Sequence, residues 1–151
     1  MSRILSWKKI LEQDLDYISD ELKEHLTGRS CIIFTGEVGA GKTTFIQHFM
    51  KSGTTKTDDI LSPTYSIINE QGVFAHADFY RIDDSEEIIH LEMGLYAEGK
   101  EYFLIEWGMP YLHAIRAQLG EQFNYYELII DINLGEDPTI SSRNIHLKKI
   151  L

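Results

Sequence analysis

The chain contains the stretch Gly36-Glu37-Val38-Gly39-Ala40-Gly41-Lys42-Thr43, which fits the phosphate-binding pattern Gly-x-x-x-x-Gly-Lys-[Ser/Thr], known as Walker A. Residues 31–35 before it are apolar and predict a buried parallel strand. Residues 44–50 after it have apolar side chains at helical spacing. In a strand–loop–helix unit of this kind, backbone N–H groups and the positive end of the helix converge on phosphate. We therefore predict a nucleoside triphosphate site, in which Lys42 reaches the β- and γ-phosphates and Thr43 binds Mg²⁺.

The rest of the chain alternates between helix-like and strand-like segments. Residues 10–26 read as an amphipathic helix that stops near Gly28, and residues 51–59 read as a polar connector. Two strand-like runs, 64–70 and 73–80, are separated by Gln71-Gly72 and predict a hairpin. The further predicted helices are 85–93 and 110–119, and the further predicted strands are 101–107, 125–134 and 144–151. This alternation predicts one α/β domain over residues 1–151, a three-layer α/β/α P-loop NTPase domain with a mostly parallel central sheet and an antiparallel hairpin.

Composition excludes several classes of function. The 151 residues carry a formal net charge of −10, which opposes stable binding of DNA or RNA because such binding depends on Lys and Arg. The single cysteine, Cys31, falls in a predicted buried strand, so neither an intrachain disulfide nor a Cys₂ or Cys₄ zinc site is expected. No apolar run approaches the length of a membrane span, and the N-terminus lacks a signal-peptide core. We expect a soluble cytoplasmic protein.

Hydrolysis of a nucleotide needs a metal-ordering carboxylate and a group that positions water. The segment Ser62-Pro63-Thr64-Tyr65 lies where phosphate-sensing switch segments occur in P-loop enzymes, and an ordinary Ser-Pro turn is the alternative. Strand alternation places His76, Asp78 and Tyr80 on one face. Asp78 is then either a Mg²⁺ ligand at the carboxyl edge of the sheet or part of a solvated polar face.

A third candidate is Glu106, at the end of the apolar run Phe103-Leu104-Ile105. A carboxylate at this place resembles a Walker B element, which binds Mg²⁺ or orients the attacking water. Trp107 would shield the site or contact a partner, and the alternative is a surface glutamate beside a core tryptophan. Thr55-Lys56-Thr57-Asp58 has the letters of a guanine-reading motif but lies too soon after the phosphate loop, so guanine specificity is not expected.

Four motifs stand in this one short chain: the GEVGAGKTTF loop, the SPTY segment, an H-x-D-x-YR stretch and an IEWG strand end. In this order they resemble the TsaE (YjeE) family of P-loop ATPases, over residues 26–110 and beyond. Glu86-Glu87 and Gly94-Leu95 are similar to the acidic helix and turn of that family. Arg143 begins a stretch that resembles its closing R-x-I-x-L strand.

The resemblance implies a role in making N6-threonylcarbamoyladenosine in tRNAs that read ANN codons. It implies ATP and Mg²⁺ as cofactors and the TsaD–TsaB transferase pair as partners, with tRNA met only through the complex. It places Thr43, Asp78 and Glu106 at the metal positions, Lys42, Asp78 and Glu106 at the catalytic positions, and a switch at residues 62–65. The nucleotide-binding residues it implies are Glu37, Val38, Gly39, Ala40, Gly41, Lys42, Thr43 and Thr44.

The chain departs from the family pattern in two places. Gly108-Met109-Pro110 follows the Glu-Trp pair, where the family often has an acidic residue or glutamine. Leu15 stands where many members carry a threonine near the nucleotide, so we assign the adenine contacts to residues 7–13 instead.

Two other activities fit a phosphate loop: a small-molecule kinase, and a nucleotide switch without hydrolysis. A kinase usually needs an arginine-rich lid, and the chain after Trp107 has only Arg116 and Arg143. Arg81 and Arg143 can be arginine fingers or structural residues. Without a clear arginine finger we expect slow hydrolysis that a partner stimulates.

Overall fold

The structure is a computed structural model, and it describes residues 2–51, 67–133 and 141–151. The strands are β1 Ser2–Ile10, β2 Ser30–Thr35, β3 Ile68–Gln71, β4 Phe74–Asp78, β5 Tyr102–Glu106, β6 Asn124–Asn133 and β7 Ser142–Lys149. The α-helices are α1 Leu15–His25, α2 Lys42–Lys51, α3 Ser85–His90, α4 Met93–Ala97 and α5 Leu112–Leu119. Short 3₁₀ turns lie at Glu12–Asp14, Met109–Tyr111 and Gly120–Gln122.

The strands form one seven-stranded sheet in the order β1-β7-β6-β2-β5-β4-β3. The four middle strands, β6, β2, β5 and β4, are parallel to one another. The β3–β4 hairpin adds an antiparallel strand at one edge, and β7 and β1 add antiparallel strands at the other. The predicted α/β class, the parallel centre and the hairpin are confirmed. As in other parallel sheets, the carboxyl ends of the middle strands meet at one edge, where ligands bind.

Helices cover both faces of the sheet. Successive side chains of the central strand β2 are apolar and point to opposite faces, so each face has an apolar core that helices bury. Ile32 and Phe34 belong to the core beneath α1 and α2, whereas Cys31 and Ile33 belong to the core beneath α3, α4 and α5. The Phe34 ring packs against Phe45 of α2, with 5.7 Å between ring centroids. Fully burying such a side chain contributes about 1.5–3 kcal/mol. The packing fixes the phosphate-loop helix against the strand that precedes it, and the predicted three layers are present.

The N-terminal region differs from the sequence prediction of a helix over residues 10–26. Residues 2–10 form the edge strand β1, and the α-helix begins only at Leu15. The turn between them is closed by two hydrogen bonds, in which the backbone N–H of Asp14 donates to the Leu11 carbonyl and the N–H of Leu11 donates to the Asp14 carboxylate, each at 2.9 Å. The period-two alternation of Leu5 and Trp7 with exposed neighbours is the strand signal that the helical reading missed.

The predicted helix over 85–93 is two short helices instead of one. Asp84 caps α3 by accepting from the backbone N–H groups of Glu86 and Glu87. Glu92 then adopts a left-handed φ of 52°, which ends the first helix before α4 begins at Met93. The remaining helices and strands agree with prediction to within a few residues. Thr64 to Ser66 and most of the predicted connector lie outside the described residues.

None of the helices within residues 2–51, 67–133 and 141–151 has the length and apolar character needed to cross a membrane.

Candidate functional site

The phosphate loop connects β2 to α2 through residues 36–41. Gly39 and Gly41 have φ angles of 85° and 104°, in the left-handed region that residues with a Cβ rarely adopt. These two glycines therefore allow the loop to turn tightly before Lys42 starts the helix. The result is a helix N-terminus with free N–H groups at the carboxyl edge of the parallel strands, a ready site for an anion.

Lys42 is held inside the loop in this structure. Its Nζ donates to the carbonyl oxygens of Gly36 at 2.5 Å and Glu37 at 3.1 Å. It also lies 4.0 Å from the centroid of the Trp107 ring, a cation–π distance. Burial lowers the pKa of Lys42 from its usual 10.5, and the Glu106 and Asp78 carboxylates oppose that shift. The ammonium is thus kept beside the loop, close to where phosphate would bind.

Glu106 is the best-fixed carboxylate of the site. It ends β5 and is only 3% exposed. Its Oε1 accepts from the Thr43 hydroxyl at 2.7 Å, and its Oε2 lies 2.8 Å from His76 Nε2. These contacts join the first turn of α2 to the ends of β4 and β5. The structure therefore places the Glu106 carboxylate in direct contact with the phosphate-loop threonine.

Asp78 lies opposite Glu106 in the parallel register of β4 and β5. It is more exposed than Glu106, and its Oδ1 accepts from the backbone N–H of Tyr80 at 3.0 Å. The Tyr80 ring is mostly exposed and packs on Trp107, with 5.1 Å between centroids. Trp107 itself has a left-handed φ of 61°, a conformation that costs energy for a bulky residue. That turn carries the indole from the strand end over Lys42.

Described residues line two cavities beside the phosphate loop. The first, which we call the carboxylate cavity, has a volume of about 420 Å³. Its lining residues are Val38, Gly39, Gly41, Lys42, Thr43, Thr44, Asp78, Tyr80, Glu106 and Trp107. The second, which we call the apolar cavity, has a volume of about 220 Å³ and lies beside the turn between β1 and α1. Its lining includes Ile10, Leu11, Leu15, Phe45, Ile130 and Ile145. The two share Gly39, Gly41 and Thr44, so they meet at the loop.

Arg143 braces the loop from β7. Its Nε donates to the Ala40 carbonyl at 2.7 Å, and its Nη2 lies 3.3 Å from the Gly39 carbonyl oxygen. Nη1 contacts Ser141 and the Ser142 carbonyl. With its guanidinium committed to loop carbonyls, Arg143 is placed as a support for the backbone. Arg81, the other arginine considered from sequence, is exposed.

The structure brings most of the predicted site residues to one place. Lys42, Thr43, Asp78 and Glu106 line the carboxylate cavity together with Val38, Gly39, Gly41 and Thr44. Glu37 contributes one of the two carbonyl oxygens that accept from Lys42, and Ala40 lines the apolar cavity. Of the stretch predicted to contact adenine, Ile10, Leu11 and Glu12 line the apolar cavity. The predicted switch at residues 62–65 and the segment 55–58 lie outside the described residues.

Two contacts at the site were not predicted from the sequence: the hydrogen bonds from Arg143 to the loop carbonyls and the hydrogen bond between His76 and Glu106. Each joins residues that are far apart in the chain, 103 positions for Arg143 and Ala40 and 30 positions for His76 and Glu106. The R-x-I-x-L pattern marked Arg143 as notable without giving its contact. His76 was marked by its place on the face of Asp78.

The donors at the site suit Mg²⁺ better than a transition metal. Across residues 2–51, 67–133 and 141–151, no group of three or more His, Cys, Asp or Glu side chains is arranged to hold a metal ion. Mg²⁺ differs from zinc in this respect, because it is bound by one or two carboxylates together with hydroxyls, waters and substrate phosphates. The Thr43 hydroxyl and the Glu106 and Asp78 carboxylates are hard oxygen donors of that kind.

Comparison with known proteins shows which family the chain resembles. The family model described as threonylcarbamoyl adenosine biosynthesis protein TsaE matches residues 11–138. A tRNA threonylcarbamoyladenosine biosynthesis protein TsaE of Nostoc sp. is 41% identical over 100 residues, which is 60% of this chain and 60% of the Nostoc protein. Proteins of the same name from Bacillus subtilis and Aquifex aeolicus are each 31% identical. Those alignments cover 78% and 64% of this chain and 73% and 71% of the relatives.

Among solved structures, the crystal structure of Bacillus subtilis YdiB superimposes with a TM-score of 0.60. The superposition covers 100% of this chain and 89% of YdiB at 24% identity, which is a likeness of fold.

Proposed function

Because this chain belongs to the TsaE family, we propose that it is a Mg²⁺-dependent ATPase that supports the formation of N6-threonylcarbamoyladenosine in tRNA. The observation that carries this proposal is the convergence of Lys42, Thr43, Asp78 and Glu106 on one cavity at the mouth of the phosphate loop. The role in tRNA modification rests on the family and on the names of its relatives. The chemistry rests on these four side chains.

ATP binding is assigned to the loop backbone, the N-terminus of α2 and Lys42. The N–H groups at the start of the helix and the ammonium of Lys42 supply positive charge on one side of the carboxylate cavity. Lys42 exchanges its two carbonyl partners for phosphate oxygens, which is a short movement for a flexible side chain that already lies in the cavity. An ammonium binds an anionic phosphate oxygen more strongly than it binds a neutral carbonyl oxygen, so this exchange is favourable.

The metal is assigned to Thr43, Glu106 and Asp78. When bound, Mg²⁺ would neutralise charge on the β- and γ-phosphates and so stabilise the transferring phosphoryl group. The Thr43 hydroxyl and the Glu106 carboxylate are in direct contact, so the oxygen donors from α2 and β5 are already gathered. Asp78 faces the same cavity from β4 and is available to bind through water or to orient the attacking water.

The adenine is assigned to the apolar cavity. It adjoins the loop at Gly39, Gly41 and Thr44, so a base there would remain connected to phosphates in the carboxylate cavity. Ile10 and Leu11 offer the apolar surface that a purine ring buries. Three residues of the stretch 7–13, which was predicted to contact adenine, line this cavity: Ile10, Leu11 and Glu12.

A partner is expected to complete the site. Of the described residues that line the carboxylate cavity, none is an arginine, and Arg143 is engaged by loop carbonyls. Hydrolysis by the chain alone would then lack the cation that stabilises charge on the phosphoryl group in many P-loop enzymes. We propose that the TsaD–TsaB pair stimulates hydrolysis, and that tRNA is reached through that complex in the cytoplasm. The net charge of −10 accords with a protein partner instead of a direct grip on tRNA.

The substitution Glu106→Ala tests the chemistry. It should leave metal-free ATP binding, measured in EDTA, within about threefold of wild type and reduce turnover by about 100-fold or more, because the lost carboxylate acts on the metal and the reacting phosphate. Turnover should be measured as phosphate release in the presence of TsaD–TsaB. Normal turnover in this variant would remove Glu106 from the catalytic group.

The two other activities make different predictions in the same assay. A kinase would transfer the phosphate to a metabolite, which mass spectrometry detects. A nucleotide switch would leave ATP intact over a single turnover with the partner pair present. Release of inorganic phosphate, dependent on Glu106, distinguishes the proposed ATPase from both.

A further inference from the structure

His76 is a buried polar residue that the proposed chemistry does not use. The residue is 5% exposed, and its Nε2 lies 2.8 Å from Oε2 of Glu106. Because an ionised carboxylate can only accept hydrogen bonds, the imidazole donates its Nε2–H in this contact. The other oxygen of Glu106 accepts from Thr43, so each carboxylate oxygen has its own donor.

The geometry of the sheet explains why His76 can reach Glu106. In the parallel pair of β4 and β5, His76 stands opposite Leu104, and Asp78 stands opposite Glu106. His76 and Glu106 are therefore diagonal neighbours on the face that α2 covers, close enough for a long side chain to span the gap. His76 lies two residues before Asp78 on the same face of β4, and it reaches the Glu106 carboxylate from the interior of the protein.

Two anchors on one carboxylate restrict its orientation. A glutamate side chain has three rotatable bonds. With a single hydrogen bond to one oxygen, the carboxylate can still rotate about them. With Thr43 on one oxygen and His76 on the other, the plane of the carboxylate is set. In a buried site these bonds are stronger than in water, because the surroundings are less polar.

We propose that His76 is a positioning residue for the ATPase reaction, which fixes the Glu106 carboxylate toward the metal and phosphate side of the site. The inference rests on the proposed function, since it assigns a purpose to the orientation of Glu106. His76 does not touch the nucleotide in this role. Residues that orient metal ligands from behind affect metal affinity or activity by about 10-fold to 100-fold when they are replaced.

A purely structural role is the competing explanation, in which the bond only ties β4 to β5. Backbone pairing already joins these strands at five successive positions from Phe74 to Asp78. The neighbours of His76 on the same face, Phe74 and Leu104, are apolar and buried. A leucine at position 76 would suit that environment, so a histidine there is better explained by its carboxylate partner.

The chain offers a matched pair of substitutions. In His76→Gln the amide nitrogen stands the same number of bonds from Cα as the imidazole Nε2, so it can donate to Glu106. In His76→Asn the amide is one bond shorter and cannot reach. His76→Leu removes the polar group altogether. The glutamine and asparagine variants have similar polarity, so they differ mainly in the bond to Glu106.

The experiment measures four quantities for the full chain: steady-state kcat and KM for ATP with TsaD–TsaB present, affinity for ADP in EDTA, and affinity for ADP with Mg²⁺. We expect His76→Asn and His76→Leu to lower kcat about 10-fold to 100-fold and to weaken the Mg²⁺-dependent gain in ADP affinity. KM for ATP, measured at saturating Mg²⁺, should change less than about threefold. His76→Gln should restore kcat to within about threefold of wild type. Binding of ADP in EDTA reports the folded fraction, to which the rates are normalised.

The results separate failure of the inference from failure of the proposed function. If wild type shows neither Mg²⁺-dependent ADP binding nor ATP hydrolysis, the proposed function fails. If wild type is active and His76→Asn matches it in kcat and in Mg²⁺ dependence, the positioning role is overturned. Equal loss of kcat in the glutamine and asparagine variants also overturns it, because the loss then does not follow the bond to Glu106.

Discussion

The Thr43 hydroxyl donates a 2.7 Å hydrogen bond to Oε1 of Glu106, which joins the first turn of the phosphate-loop helix to the end of the neighbouring strand. The two residues are 63 positions apart in the chain, yet the sheet brings them to the same edge. In the proposed function, this hydroxyl and this carboxylate are the protein's ligands to Mg²⁺ from α2 and β5. This contact connects nucleotide binding to hydrolysis in the proposed mechanism.

Replacing Thr43 by valine should abolish most of the Mg²⁺-dependent hydrolysis. Valine keeps the shape of threonine but removes the hydroxyl, and loss of a metal contact forfeits several kcal/mol of charge stabilisation, or about 100-fold or more in rate. Thr43→Ser is the matched control, since it keeps the hydroxyl and should stay within about fivefold of wild type. Phosphate release at saturating ATP measures both. A valine variant as active as the serine variant would show that the hydroxyl is dispensable.

Lys42 leads to a prediction about stability and pH. Burial lowers its pKa from 10.5 in the folded protein, so between the lowered pKa and 10.5 the unfolded chain binds more protons than the folded chain. The free energy of unfolding contributed by Lys42 therefore increases with pH across that window. Without nucleotide, wild type should gain stability relative to Lys42→Met as the pH rises toward 10.5.

Denaturant unfolding of both proteins at a series of pH values checks this, because the titration of other groups cancels in the difference. A difference that stays constant, or falls, as the pH rises would mean that burial does not disfavour the ammonium. In ATP binding the methionine variant should lose at least about tenfold in affinity, since the charge that faces phosphate is gone.

Arg143 should affect binding more than turnover. Its bonds to the Ala40 and Gly39 carbonyls hold the loop in shape, so Arg143→Ala should weaken ATP binding by about tenfold, the loss of about one charge-assisted hydrogen bond. The kcat at saturating ATP should fall less. Calorimetric titration and steady-state rates give the two numbers. Arg116→Ala, an exposed arginine on α5, is the control and should leave both unchanged.

The same variant tests the arginine-finger alternative. A finger acts on the transition state, so its loss would lower kcat by about 1,000-fold or more and change ATP affinity little. Such a result for Arg143→Ala would contradict the bracing role that its contacts suggest.

The apolar cavity predicts a difference between ligands with and without a base. Leu11→Asp should weaken ATP binding by about tenfold, because a charged group replaces apolar surface against the purine. Affinity for inorganic tripolyphosphate should stay within about twofold, since it occupies the loop alone. Competition titrations with the two ligands measure the contrast. An equal loss for both would mean that Leu11 supports the loop and does not contact a base.

The phosphate loop and its neighbouring elements could be predicted from the sequence, whereas the edge strand at the N-terminus could not. The phosphate loop, its strand and its helix follow from one local pattern, and Glu106 follows from an apolar strand that ends in an acid. The edge strand β1 was missed because residues 10, 11, 15, 18 and 22 have helical spacing that runs across the turn at Leu11–Asp14. The spacing of apolar residues gives no sign of a turn that is closed by two hydrogen bonds.

Contacts between residues that are far apart in the chain could not be predicted from the sequence either. The bond from His76 to Glu106 depends on the register of β4 against β5, and the grip of Arg143 depends on β7 folding back antiparallel to β6. A shift of one residue in either register would turn these side chains to the opposite face. No pattern within a single segment encodes such a register, so the structure was needed to find both contacts.

The central claim is that the cavity formed by Lys42, Thr43, Asp78 and Glu106 hydrolyses ATP and that a protein partner completes it. The most direct measurement is the rate of ATP hydrolysis by the purified chain with and without TsaD–TsaB, with Glu106→Ala run in parallel. We predict a slow rate alone, a rise of at least about tenfold with the pair, and loss of that rise in the variant. Equal rates with and without the pair, or a stimulated rate that survives Glu106→Ala, would contradict the account.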